Sequence, residues 1–392
     1  MDNEKYYMQF SRAGLSCHQV EILESAFSDV CGAYHAKDEQ ILDIFRRKQE
    51  TGADSAPDAA SDGNGGDERG TCAIRRFLSE RSRIDPDADY ERMKAEGIGY
   101  VSMRHPDYPK RLTRITGRPP GLFYKGRLPS DNAPAVAMVG SRDCSNYGRE
   151  IAIKLAKGLA GAGIDIISGM AAGIDGYAHR GALNAAPGCA NDGAAGQTFA
   201  VLGCGVDICY PRSNHDIYSR IIDNGGVISE YCPGTQPVSY NFPNRNRIIS
   251  GLADAVLVVE ARQKSGSWIT VDFGLEQGKD IYAVPGRIGD RLSCGCNNLI
   301  KSGAKLVTSE EDIIKELAVK YLNRCAKKSA PEHKPVGSEQ EAVYGALELT
   351  PLSINEICAR CGLPVSRTMQ RLTELELAGC AARIGASYVR SL

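Results

Sequence analysis

Apolar, β-branched runs occur at 135–140, 164–168, 198–203, 226–229, 255–260 and 281–284, separated by stretches whose apolar positions recur every three or four residues. Runs of that length predict buried strands, and the intervening spacing predicts amphipathic helices. Between the first two runs, Ile151, Leu155 and Leu159 share one helical stripe while Arg149, Glu150, Lys154 and Lys157 fall elsewhere. The helix opening near Ser145 therefore covers one face of a sheet. Strands alternating with helices across 134–326 predict an α/β fold, an extended Rossmann-like doubly wound parallel sheet.

The flanks carry different patterns. Residues 1–90 read as a small helical N-terminal region, interrupted at about 52–70 by a Gly-, Asp-, Ala- and Ser-rich insertion without apolar periodicity, expected to be disordered. Tyr90 to Val101 reads as a helix end and a short strand, after which Pro106, Pro109, Pro119 and Pro120 break the chain, so 91–133 reads as a connector. A second linker, 327–337, carries Pro331 and Pro335. In 338–392, Ser353 and Glu356 form a capping box, Gly362 and Pro364 end that helix, and Ser366 is placed to cap the next, which carries Leu372 and Leu375. With a hairpin around Gly385 the pattern is a winged helix.

Composition narrows the partners. At 392 residues and 42% apolar, the chain is long enough for two or three domains with a substantial central core. Its start, Met1-Asp-Asn-Glu-Lys-Tyr-Tyr, lacks a signal-peptide pattern, and no apolar run approaches a membrane span; a cytoplasmic protein with no membrane partner is expected. Lys and Arg (47) balance Asp and Glu (48), so any nucleic-acid site must be local. The winged helix is acidic, with Glu339, Glu341, Glu348, Glu356, Glu374 and Glu376 against Arg360, Arg367, Arg371, Arg383 and Arg390. That balance favours a protein contact over duplex DNA, although the fold suits either. Most of the fourteen cysteines sit singly in apolar segments, as Cys204 does, and read as reduced; Cys358 and Cys361 have ligand spacing but no second pair, so no metal is expected.

In doubly wound sheets the ligand lies beyond the carboxyl ends of the strands. There the sequence places Gly140-Ser141-Arg142, Ser168-Gly169, Gly203-Cys-Gly205 and Ser229-Glu230. Glycine admits close backbone approach, small hydroxyls donate to phosphate oxygens, and a strand-to-helix turn aims unpaired amides at an anion. Tight βα turns need glycine in any case, so each turn alone fits either purpose. Phe242-Pro-Asn-Arg245-Asn246-Arg247 is the second cationic element. Arg245 shares a stripe with Ile248, Ile249 and Leu252, which predicts a stem packed near the sheet and a head emerging at the ligand edge. Arg245 is equally placed to pair with Glu230 or Glu260, and Phe242 to stack on a base or to join the core. No phosphate loop of ATPases and no complete dinucleotide fingerprint is present, so neither catalytic residues nor a cofactor are implied. Asp175, His179, Asp207, Glu230 and Glu260 can be drawn as a metal site, but acidic caps at loop ends are the commoner arrangement.

Val139-Gly-Ser-Arg142, Ser168-Gly-Met-Ala-Ala-Gly-Ile-Asp-Gly-Tyr-Ala-His179, Ala200-Val-Leu-Gly-Cys-Gly205, Phe242-Pro-Asn-Arg-Asn-Arg-Ile-Ile-Ser-Gly-Leu252, Val259-Glu-Ala261, Ser265-Gly-Ser-Trp-Ile-Thr270 and Ala283-Val-Pro-Gly286 resemble the DNA-processing protein A family, DprA or Smf. Tyr108-Pro-Lys-Arg-Leu112 and Pro120-Gly-Leu-Phe-Tyr-Lys-Gly126 resemble its connector, and the tail its winged helix. The resemblance implies a homodimer that binds single-stranded DNA without catalysis and loads the RecA recombinase during natural transformation or recombination. It implies that Gly140 to Arg142 hold a DNA phosphate and that the Phe242 to Arg247 segment lines the same pocket. Two departures stand out: Ala172 replaces the family's usual Arg, and Ala186 to Gln197 is longer than usual. The alternative is a Rossmann-type hydrolase of nucleotide N-glycosidic bonds. Its Pro-Gly-Gly-x-Gly-Thr-x-x-Glu loop has only Ser265-Gly-Ser-Trp-Ile-Thr270 as counterpart, without the glycine run or the glutamate.

Overall fold

A computed structural model describes residues 3–50, 66–185, 195–328, 338–348, 352–377, 380–384 and 387–390. Residues Met1–Ile314 form one compact unit and Lys315–Leu392 a second.

The first unit opens with helices α1 (Glu4–Ala13), α2 (Cys17–Phe27), α3 (Val30–His35), α4 (Asp38–Glu50), α5 (Gly66–Arg81) and α6 (Pro86–Ala95). Most of the expected disordered insertion lies outside the described residues. Its last part, 66–70, is instead the start of α5, because the helical pattern through Ala73, Ile74 and Phe77 continues back to Gly66. Phe10, Tyr34 and Phe77 form the aromatic centre of the bundle, with Phe10 and Phe77 ring centroids 4.8 Å apart.

Two strands then follow, β1 (Gly99–Ser102) and β2 (Gly121–Gly126), in the segment that reads as a connector. The prolines that break the pattern lie between and around these strands and interrupt neither. The alternating core follows: β3 (Ala135–Val139), α7 (Asn146–Gly161), β4 (Asp165–Ser168), α8 (Ile174–Leu183), β5 (Thr198–Val201), α9 (His215–Asn224), β6 (Gly225–Ser229), α10 (Asn241–Leu252), β7 (Ala255–Val258), α11 (Ser267–Glu276), β8 (Asp280–Ala283), α12 (Cys294–Lys301) and β9 (Lys305–Leu306). The sheet order is β1-β2-β6-β5-β4-β3-β7-β8-β9. From β6 to β9 every pairing is parallel, while β1 and β2 extend the β6 edge antiparallel. Strands β3 to β7 are buried throughout, as expected where helices cover both faces. The strand order reverses between β3 and β7, so the crevice of a doubly wound sheet lies beyond Val139 and Val258.

In α7 the buried stripe is Gly148, Ala152, Leu155, Ala156, Leu159 and Ala160, with Ile151 at its margin and Arg149, Glu150, Lys154 and Lys157 exposed. The N-terminal helices join the sheet's core through the β1 and β2 end. Tyr100 stacks near Phe123, 4.9 Å between centroids, its hydroxyl lies 2.8 Å from Ser11 Oγ, and the Glu4 carboxylate accepts from Ser102 N (2.6 Å) and Oγ (2.7 Å). Among the described residues no helix is long and apolar enough to cross a membrane.

Helix α13 (Glu311–Lys328) runs into the second unit, followed by α14 (Ser338–Ala346), β10 (Leu352–Ser353), α15 (Ile354–Cys361), α16 (Val365–Leu377), β11 (Ala381–Ile384) and β12 (Ser387–Arg390). This is a winged helix around Val343, Ile357, Leu372 and Leu375. Ser353 and Glu356 make the expected capping box, and Gly362 ends α15 at φ +70°. Ser366 does not cap α16, because the helix already begins at Val365. The two wing strands pair antiparallel, with the tip near Gly385 outside the described residues.

Candidate nucleic-acid interface

The β3–α7 turn does not present an open helix terminus. Ser145 caps α7 through Gly148 N (3.0 Å), and its own N–H and hydroxyl donate to the Glu260 carboxylate at 2.8 and 2.6 Å. Glu260, buried just after β7, thus holds the anion position that the turn suggests for phosphate, where a carboxylate on a helix N-terminus is favoured by up to about 2 kcal/mol. Gly140 packs against Ile174, and Ser141 is engaged internally: its N–H donates to Glu260 O (2.7 Å) and its hydroxyl to Asp143 O (2.9 Å). Arg142 differs. It is exposed, makes no ion pair among the described residues, and sets its guanidinium 5.7 Å from the Phe242 ring centroid.

The second loop, after β4, is built to approach the first. Gly173 has φ +77°, and a side chain there would strike the carbonyls of Ser141 and Arg142. Met170 is buried at φ +54°, in a region costly for a residue with a Cβ, and the loop is held in place from elsewhere. Asn214 Nδ2 donates to Met170 O (3.0 Å) and Ala171 O (3.2 Å), and Arg245 Nη1 donates to Gly169 O (2.7 Å) and to Val201 O. Ser168, fully buried, donates its hydroxyl to Met138 O (2.6 Å) and belongs to the sheet.

Arg245 therefore does not reach the ligand edge. Its head is buried, and burial lowers its pKa despite the attraction of Asp175. Asp175 in turn is raised by burial, against the pull of Arg245. Arg247 pairs with Glu230 through two contacts of 2.7 and 2.6 Å and donates Nε to Gly117 O (2.7 Å). Of the two carboxylates that the sequence offers to Arg245, Glu230 belongs to Arg247 and Glu260 to Ser145. Asn246 is half-buried between them.

Phe242 is half-buried at the start of α10, with one ring edge over Gly203, where an added Cβ would lie 2.9 Å from Cδ1. Gly203 O also accepts from Asn241 Nδ2 (3.0 Å), and Gly205 N donates to Thr235 O (2.9 Å). Arg245 lies 5.8 Å from the Phe242 centroid and the Tyr210 ring 5.4 Å at 32°. Tyr210 and Asn214 are contributions that the sequence pattern does not flag. Both sit between β5 and α9, in a segment of mixed apolar and polar residues without helical or strand periodicity. The remaining acidic candidates are spread over separate partners: Asp207 accepts from Gly234 N (2.9 Å), and His179 shares Nδ1 with Thr198 Oγ1 (2.7 Å) while burial lowers its pKa to about 3.

Of the eleven positions drawn from the sequence, Arg142 and Phe242 meet at the sheet's carboxyl edge, and the glycines, serines, Arg245 and Arg247 form the frame beneath them. The DNA recombination-mediator protein A family model matches residues 99–318, and the DprA winged helix domain matches residues 327–386. This chain belongs to the DprA family. The DNA processing protein DprA of Streptococcus pneumoniae is 46% identical over 209 residues, 53% of this chain and 71% of the relative. Protein Smf of Escherichia coli is 38% identical over 290 residues, 72% and 75% of the two chains. The X-ray structure of the Streptococcus pneumoniae DprA superposes with a TM-score of 0.60 at 36% identity, covering 79% of this chain and 97% of that one. The α/β core, helical N-terminus and winged helix are those of a DprA DNA-processing protein.

Proposed function

We propose that this chain binds single-stranded DNA, without catalysis, along the edge where Arg142 meets Phe242, and passes the strand to the RecA recombinase in the cytoplasm. The observation that carries the reading is Arg142. It is an exposed guanidinium with no carboxylate partner among the described residues, set beside an aromatic ring at the ligand edge of a doubly wound sheet. With Ala172 in place of the family's Arg, Arg142 bears more of the phosphate contact. The matched family's description as a recombination mediator supports delivery to a recombinase. The resemblance adds a homodimer and a role in natural transformation or recombination. In this reading 134–326 carry the DNA, and 338–392, beyond the 327–337 linker, contact protein. Arg367 and Arg371 on α16 are already paired with Glu339, and Arg371 also with Glu374 at 2.8 Å, which leaves few cations for duplex phosphates.

Fluorescence anisotropy with labelled oligonucleotides over a salt series tests the reading. Single strands bind more tightly than duplex of the same length, and Arg142→Ala lowers the salt slope by about 0.7, the share of one phosphate contact. An unchanged slope removes Arg142 from the interface.

A further inference from the structure

Phe242 cannot offer an open face by itself. Arg142, Arg245 and Tyr210 all lie within 6 Å of its centroid, and the ring is half-buried. Among the described residues the ring paired with Phe242 is Tyr210, which is 46% exposed and lies in the loop between β5 and α9. Its hydroxyl makes no hydrogen bond among the described residues, so the phenol is not anchored. Arg212 follows two residues on, also exposed and without an ion pair among the described residues.

Resting on the single-strand reading, we propose that Tyr210 is a base-stacking residue: its outer face takes an unpaired base, Phe242 backs the tyrosine, and Arg142 holds the adjoining phosphate. Every base has a π-face, so the contact is indifferent to sequence, while a strand paired in duplex keeps its bases out of reach. The step makes base and phosphate recognition separable. Phosphate contact resides in Arg142 and stacking in Tyr210.

The test compares full-length protein binding oligodeoxythymidine and an abasic oligomer of equal length and charge. Wild type binds the thymidine oligomer more tightly. Tyr210→Leu, which keeps an apolar side chain but removes the π-face, weakens that binding by roughly 5- to 150-fold, leaves abasic binding within about twofold, and leaves the salt slope unchanged. Tyr210→Phe behaves as wild type. Equal losses on both oligomers, or none on either, overturn the assignment while leaving the single-strand reading standing. Equal affinity of wild type for the two oligomers overturns it even should Tyr210→Leu not fold. Failure of wild type to bind either oligomer sinks the single-strand reading, and this assignment with it.

Discussion

Arg245→Met separates a residue that frames the site from one that touches the ligand. The guanidinium donates to the carbonyls of Gly169 and Val201, joining the ends of β4 and β5 beneath Phe242. Methionine fills similar space but leaves two buried carbonyls without a donor, at about 1–3 kcal/mol each. Part of that is offset by relieving a buried cation whose pKa burial already lowers and whose Nε has no partner among the described residues. A net loss of about 3 kcal/mol is expected. Urea denaturation reads the stability, and anisotropy with oligodeoxythymidine over a salt series reads the phosphate contacts. Arg245→Met should lose stability and some affinity while keeping the wild-type salt slope, because it neutralises no phosphate. Should the variant fold as stably as wild type with a slope about 0.7 lower, Arg245 is a direct phosphate ligand and the framing role is refuted.

Two further outcomes follow from the same structure. Burial, partly relieved by the Gln197 amide, raises the Asp165 carboxyl to about 6 against an ordinary 3.8. The folded state then holds its proton more tightly, so this residue's contribution to stability is complete below pH 4 and declines as pH rises through 6, by about 2–3 kcal/mol. Asp165→Asn should remove that decline in the difference between wild-type and variant urea curves at pH 4 to 8. Ser28, exposed at the end of α2, has φ +68°, so Ser28→Gly should stabilise the first unit by up to about 1 kcal/mol, read as a higher melting temperature.

Buried parallel strands are legible because helices on both faces demand continuous apolar runs, and Ala135–Val139 and Ala255–Val258 are such runs. β1 is legible as the short strand expected up to Val101, but β2 is not, because a six-residue strand directly after Pro119 and Pro120 carries too little periodicity to stand out from a connector. Helical spacing correctly buries the stem of Arg245 beside Ile248, Ile249 and Leu252. It cannot say that the head ends on two carbonyls or that Glu230 belongs to Arg247, since those partners come from distant segments brought together only by folding. The Gly-Ser-Arg turn is legible as a turn but not as an occupied one. Glu260, more than a hundred residues later, fills its helix terminus.

The way Glu4 covers Ser102 bears on self-association. Strand β1 is one border of the sheet, and an uncovered border invites a strand from another chain; here a carboxylate from α1 already satisfies the Ser102 amide. The opposite border, β9, is two residues long and carries Lys305. Neither rim of this sheet offers a long uncovered ladder, so a homodimer of the kind proposed would meet through helices and loops rather than by strand pairing at these rims. Such a contact would be disrupted by side-chain substitutions, whereas proline placed in a rim strand would leave it intact.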